Sequence, residues 1–140
     1  MTEKYYLDTC IWRDHYEDRV GPQGRPLGKY ASELFVKIMK NKDTIIFSTH
    51  IIYEMKKAFA SEEVEEMFHV LYIMKILQNV EITKVDWDEA RRLAEEREVS
   101  RSDALHAILA RNNNAILVTQ NIKDFEKFAD MILIKRPEEI

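Results

Sequence analysis

Ser100–Phe128, SRSDALHAILARNNNAILVTQNIKDFEKF, is the stretch whose reading decides the fold. Ser102–Asn112 carries a helical pattern opened by Asp103. Ala115–Val118 (AILV) is an apolar run of strand length with β-branched character. Ile122–Phe128 follows as a short helix, so the segment reads helix, strand, helix. A buried strand flanked by helices is the signature of a parallel sheet whose crossovers lie on its faces.

The same alternation extends in both directions. Lys4–Leu7 is a Tyr-rich strand closed by Asp8, and Thr44–Phe47 (TIIF) is a second apolar strand. Val80–Ile82 and Met131–Ile134 are weaker strands of the same kind. Between them, Tyr30–Met39 sets Leu34, Phe35, Ile38 and Met39 on one helix face, and Ile51–Phe59 does the same with Ile51, Ile52, Met55 and Phe59. Glu62–Gln78 reads as a long helix whose apolar residues cover more than one stripe, enough for core and for a dimer contact. Trp87–Arg97 is a further helix. The expected fold class is α/β: three layers, α/β/α, around a central parallel sheet of about five strands.

All three glycines and two of the three prolines fall in Gly21–Gly28, GPQGRPLG. This predicts an exposed, irregular connection. It lacks the Gly-Lys-Ser/Thr ending of a phosphate-cradling loop, although Arg25 could touch a substrate.

The 140 residues suit one domain, 1–140, able to bury roughly 68–70% of its unfolded surface. The composition, 46% hydrophobic and 33% charged, is that of a globular protein. One cysteine, Cys10, excludes an internal disulfide and a multi-cysteine zinc site. The start MTEKYYLDTC has no apolar signal-peptide core, and no stretch is long and apolar enough to span a bilayer. A cytoplasmic protein with no membrane partner is expected. The net charge of −4 argues against coating nucleic acid by bulk positive potential, but not against a nuclease with local phosphate contacts.

In an open parallel sheet, ligands bind beyond the carboxyl ends of the strands. Asp8 ends the first strand, and Glu54 lies early in the helix after TIIFS. Asp103 opens the helix before AILV, and Asn121 and Asp124 follow that strand. These residues are directed to one rim. Carboxylates crowded together raise one another's pKa unless a cation neutralises them. Mg²⁺ or Mn²⁺, which favour oxygen ligands, can do so and can support phosphodiester hydrolysis.

Each residue also has a purely structural role open to it. Asp8 could cap a helix beginning at Thr9. Asp103, three residues after Ser100, has the spacing of a capping box, as has Asp124 after Asn121. Glu54 fits no capping box after Ser48 or Thr49, which leaves a solvated helix edge as its structural role. His106 lies on the Asp103 face and could hold a carboxylate, touch substrate or simply pack. His15, His50 and His69 show no metal-ligand spacing. Cys10 lacks the arginine of a Cys-x₅-Arg phosphatase loop and reads as a half-buried thiol.

Three segments, YYLDTCIW, FSTHIIYEM and SRSDALHAILARNNNAILVTQNIKDFEKF, resemble the PIN domain in order and spacing, and within it the VapC-type toxin ribonucleases. The resemblance implies a five-stranded parallel sheet and a Mg²⁺- or Mn²⁺-dependent ribonuclease. It implies Asp8, Glu54 and Asp103 as metal-binding acids, and Thr119 as a hydrogen-bond partner of a carboxylate or water. It places Asn121 at the family's fourth position, with the carboxylate of Asp124 close by as a further ligand. It also implies dimerisation and inhibition by a small antitoxin.

The reaction expected is endonucleolytic RNA cleavage by metal-activated water, leaving a 5′-phosphate and a 3′-hydroxyl. Arg13, Arg25, Lys57, Arg101 and Lys123 are candidates to hold the RNA backbone. The rival reading is a PIN-like module that binds RNA or protein without cutting. An aspartate-nucleophile phosphatase using Asp8 is more remote, because Cys10 stands where the second aspartate is usually found.

Overall fold

The computed structural model describes residues 2–140. The chain order is β1 (Lys4–Leu7), α1 (Thr9–Glu17), α2 (Leu27–Asn41), β2 (Thr44–Ser48), α3 (Thr49–Met55), α4 (Ser61–Ile73) and β3 (Leu77–Val80). It continues with α5 (Lys84–Arg97), α6 (Arg101–Asn112), β4 (Ile116–Val118), α7 (Ile122–Phe125) and β5 (Ile134–Lys135). The strands form one parallel sheet in the order β3-β2-β1-β4-β5. Tyr5 pairs with Ile45 on one side and Ile116 on the other, so β1 is the central strand.

From β1 the chain steps through β2 to β3, then crosses back to lay β4 on the opposite side of β1. Right-handed crossovers therefore put the helices of the two halves on opposite faces. The pair α1 and α2 packs together, as does the pair α5 and α6. The reversal between β1 and β4 is a topological switch point, where the strand ends diverge and leave a crevice. Asp8 and Thr119 leave the sheet there.

The core is built on the expected apolar runs. Tyr6, Leu7, Ile45, Ile46, Leu117 and Val118 are fully buried. So is nearly every residue from Ala104 to Ala110, which makes α6 a helix buried on all sides rather than along one stripe. Among the described residues no helix is long and apolar enough to cross a membrane.

Several boundaries differ from expectation. Helix α1 has no strong sequence pattern, since Arg13, Asp14, His15 and Glu17 interrupt its apolar residues. Tertiary packing supports it: Trp12, 0% exposed, lies 5.2 Å from the Phe35 ring and 4.6 Å from the Phe68 ring. The long helix expected over Glu62–Gln78 stops at Ile73. Lys75 turns left-handed (φ 61°), and Leu77–Val80 pairs with β2. A neighbouring strand's unpaired backbone groups outweigh local helix propensity there. The strand expected at Val80–Ile82 thus forms three residues earlier, and that at Met131–Ile134 shrinks to Ile134–Lys135. Helix α3 begins at Thr49 and ends at Met55, short of Phe59.

Gly28 belongs to helix α2 and is buried, not part of an exposed loop. A Cβ there would stand 2.4 Å from Asp18 Oδ1 and 2.6 Å from Asp18 Cα, so only glycine lets α2 cross the end of α1 this closely.

Candidate active site

Asp8 occupies the switch point. Its backbone N–H extends the β1–β4 ladder by donating to Val118 O at 3.0 Å, and its side chain is buried. One carboxylate oxygen accepts from the Thr9 N–H at 2.8 Å and so caps α1. The other accepts from Thr119 Oγ1 at 3.0 Å and from Cys10 Sγ at 3.3 Å. Capping and a place at the rim therefore coexist in this residue. Thr119 is fully buried and also accepts from the Asn121 N–H at 3.0 Å, tying the loop after β4 to Asp8.

Glu54 is enclosed by donors. Oε1 accepts from Thr9 Oγ1 at 2.8 Å and from His106 Nε2 at 2.7 Å, and Oε2 accepts from Ser102 Oγ at 3.1 Å. Burial pushes its carboxyl up. The bond and charge of His106, the Thr9 hydroxyl and nearby His50 outweigh burial and hold it down to about 2. His106 is the complement: burial pulls its pKa down, but the bond to Glu54 and the charges of Asp8, Glu54 and Asp103 raise it overall. His106 Nε2 lies 2.7 Å from Glu54 Oε1, and its Nδ1 lies 2.7 Å from Tyr6 Oη. Tyr6 in turn lies 3.2 Å from Ser48 Oγ. One chain of polar contacts thus runs from β2 through β1 and α6 to α3. Thr9 carries it on to Asp8.

Asp103 shows the opposite electrostatics. Burial comes first and the Asp8 charge second in driving its carboxyl up to about 6, with Asp124 adding to them. The Ser100 hydroxyl and His106 pull it down, but not enough. Ser100 caps α6 through the Asp103 N–H at 3.0 Å. The cap is therefore supplied by Ser100 and not by the Asp103 carboxylate. Like charges gathered in a half-buried rim, one of them reluctant to ionise, are an arrangement that a divalent cation relieves.

Asn121 makes no side-chain cap to α7, while the Asp124 N–H donates to Asn121 O at 3.1 Å. Asn121, Lys123, Asp124, Gln120 and Arg136 line a recess of about 330 Å³. Of the other basic candidates, Arg13 pairs with Glu17 at 3.1 Å and Arg25 with Glu138, so both are committed within the chain. Arg101 is exposed, and Lys57 Nζ sits 4.6 Å from the centre of the Tyr53 ring.

Among the described residues, the acids, histidines and cysteine that bring three ligand atoms within 4.8 Å of one another are His50, Glu54 and His106. The trio Asp8, Glu54 and Asp103 is spread more widely along the rim. His50, which the sequence showed in no metal-ligand spacing, is brought into this group by the fold. It precedes Glu54 by one helical turn, with Nε2 3.9 Å from Glu54 Oε1 and 2.8 Å from Ser102 Oγ. The i, i+4 spacing of His50 and Glu54 was the available signal. Thr9, Tyr6, Ser102 and Arg136 carried no comparable one. The donor set fits a divalent ion: carboxylate oxygens from Asp8, Asp103 and Asp124 suit Mg²⁺ or Mn²⁺.

Several solved structures share the fold. VapBC-1 from nontypeable Haemophilus influenzae aligns with a TM-score of 0.68 at 19% identity, covering 96% of this chain and 98% of that one. VapBC2 from Rickettsia felis, bound to a DNA fragment from its promoter, aligns at 0.64 and 22% identity over 94% and 98%. A toxin–antitoxin complex from Klebsiella pneumoniae aligns at 0.64 and 18% identity over 97% and 99%. A search of curated proteins gives no match. The PIN domain family model matches residues 5–131, nearly the whole chain, and the protein therefore belongs to the PIN domain family.

Proposed function

We propose that this protein is a metal-dependent endoribonuclease, the toxin of a toxin–antitoxin pair, that hydrolyses RNA phosphodiesters at the rim of Asp8, Glu54, Asp103 and Asp124. The observation that carries the proposal is the charge imbalance of the site. Asp103 is pushed up to about 6 beside Asp8 and Asp124, while Glu54 is held ionised at about 2 beside His106. Burial combined with like-charge neighbours is the arrangement by which functional sites shift their carboxyl groups, and it supports this reading.

Mg²⁺ or Mn²⁺, when bound, supplies the positive charge that polarises the phosphodiester and makes water a competent nucleophile. Asp8 and Asp103 would be its principal ligands, with Asp124 as a further carboxylate and Asn121 orienting water. Thr119 fixes Asp8 Oδ2. Glu54, immobilised by His106, Thr9 and Ser102, positions the attacking water. Lys123 and Arg136, in the recess beside Asn121 and Asp124, hold the phosphate backbone. Cleavage leaves a 5′-phosphate and a 3′-hydroxyl.

The structures that share this fold include toxin–antitoxin complexes, which supports a small antitoxin as partner. Its seat would be the groove of about 760 Å³ between α1, α2 and α4, lined by apolar Phe35, Val36, Met39, Met67 and Val70. Glu63 and Glu66 at its edge match a partner helix with basic flanks. The exposed apolar residues Tyr72 and Ile73 on α4 offer a surface for a homodimer.

The test is Asp8→Asn with purified protein, RNA and Mn²⁺ or Mg²⁺. Cleavage should require the ion, stop with a chelator and fall at least 100-fold in the variant. A variant that cuts as fast as the wild type would remove Asp8 from the chemistry. If Mn²⁺ neither supports cleavage nor raises the melting temperature, the chain is a binding module.

A further inference from the structure

The two tryptophans of this chain are placed very differently. Trp12 is fully buried, whereas Trp87 is 37% exposed and stands beside Tyr53, 59% exposed. Tyr53 and Trp87, with His50, Thr49 and Ile82, line a cavity of about 570 Å³. The rings of Tyr53 and His50 lie within 21° of parallel, with centroids 6.0 Å apart. Trp87 meets His50 nearly at right angles, 87°, at 5.5 Å. Three aromatic groups thus form a corner, with a shared floor direction and an upright wall. The position is informative because His50 Nε2 lies 2.8 Å from Ser102 Oγ, which donates to Glu54. The cavity is one side chain away from the acidic rim.

We propose that this corner is a pocket for an unpaired nucleobase of the RNA strand whose backbone enters the rim, with Tyr53 and Trp87 as its stacking residues. The inference rests on the ribonuclease reading and names a specificity subsite for it. Unpaired bases are splayed onto aromatic side chains in single-strand recognition, because each base has a π-face that stacks with little regard to sequence. Charge complementarity favours a nucleic acid over an apolar side chain of a protein. Lys57 Nζ lies over one face of the Tyr53 ring, 4.6 Å from its centre, and supplies a cation next to the stacking residue for a strand's phosphates. Exposed Thr49 adds a hydroxyl to the lining for a base edge. Paired bases in duplex RNA cannot reach such a corner, so the pocket selects single strands, loops or bulges.

The test measures binding apart from cleavage. Asp8→Asn protein in chelator is titrated with a single-stranded RNA hexamer, following tryptophan fluorescence, with Trp87→Phe identifying the responding ring. RNA should quench the signal, and Tyr53→Ala should weaken binding about 5- to 150-fold, the range found when a stacking aromatic is truncated. Tyr53→Phe should stay near the parent. In the Asp8-intact protein, Tyr53→Ala should raise KM and change kcat little. Unchanged affinity in both Tyr53→Ala and Trp87→Ala would overturn the proposal. Equal binding of duplex and single strand, or of a hexamer lacking its bases, would do so too. If Tyr53→Ala keeps RNA affinity but loses a protein partner, the corner is a protein interface. Cleavage with no effect of either Tyr53→Ala or Trp87→Ala on binding sinks the pocket and leaves the nuclease. Tyr53-dependent binding without cleavage sinks the nuclease and leaves the pocket.

Discussion

Asp103→Asn should stabilise the metal-free protein, although it deletes a residue proposed to be essential. The folded-state carboxyl of Asp103 stands at about 6 against 3.8 for an unperturbed aspartate, burial and Asp8 being the main causes. For an acid shifted upward, the folded state holds the extra proton between those two values. Its penalty is absent below pH 3.8, grows as pH rises toward 6 and is constant above. About two pH units correspond to about 3 kcal/mol at most. Asp103 is only half-buried, so solvent screening reduces this to about 1–2 kcal/mol. For a chain of this size that is a rise of roughly 3–8 °C in melting temperature. Thermal melts in chelator, followed by circular dichroism, should show the gain at pH 7.5 and only a few tenths of a kcal/mol near pH 4. Adding Mn²⁺ should then stabilise the wild type more than the variant, narrowing or reversing the difference. A variant less stable than wild type at pH 7.5, or one with the same gain at both pH values, would refute like-charge crowding as the origin of the shift.

Glu54→Gln should do the reverse and destabilise the fold by about 3 kcal/mol where both partners carry charge, because it leaves buried His106 without its counter-charge. Glu54's contribution is present above its unperturbed value of 4.5 and lost as pH falls toward about 2. That of His106, whose pKa is raised, is complete below its unperturbed 6.5 and lost as pH rises through the folded value. The deficit of the variant in denaturant melts should therefore be greatest between pH 4.5 and 6.5. Gly28→Ala should cost about 1–3 kcal/mol, since the added methyl meets Asp18 Cα at 2.6 Å and the α1–α2 crossing must open; urea denaturation checks it.

Much of this architecture was legible in the sequence because it is local. TIIF and AILV are short, apolar and β-branched, so they had to be buried strands, and their alternation with helical periods required a parallel sheet. The acids that close strands or open helices were then assigned to one rim by topology. The sequence could also say that Asp103 stood at a helix start, but not whether it capped that helix. The structure gives that task to Ser100 and leaves the Asp103 carboxylate among other acids.

What the sequence could not disclose depends on pairs of residues far apart in the chain. Helix α1 exists because Trp12 finds Phe35 and Phe68, and β3 begins at Leu77 because β2 offers it a free edge. Glu54 is a fixed, ionised carboxylate only because His106, 52 positions away, points Nε2 at it. Periodicity reports which face of an element is apolar; it carries no information on which side chain of another element will meet that face. Composition and spacing indicated the parallel sheet and its helical layers. Which acids carry charge, which one is held back from ionising, and which aromatic rings gather beside them were decided by packing. Burial and Coulomb's law act on distances in space rather than along the chain.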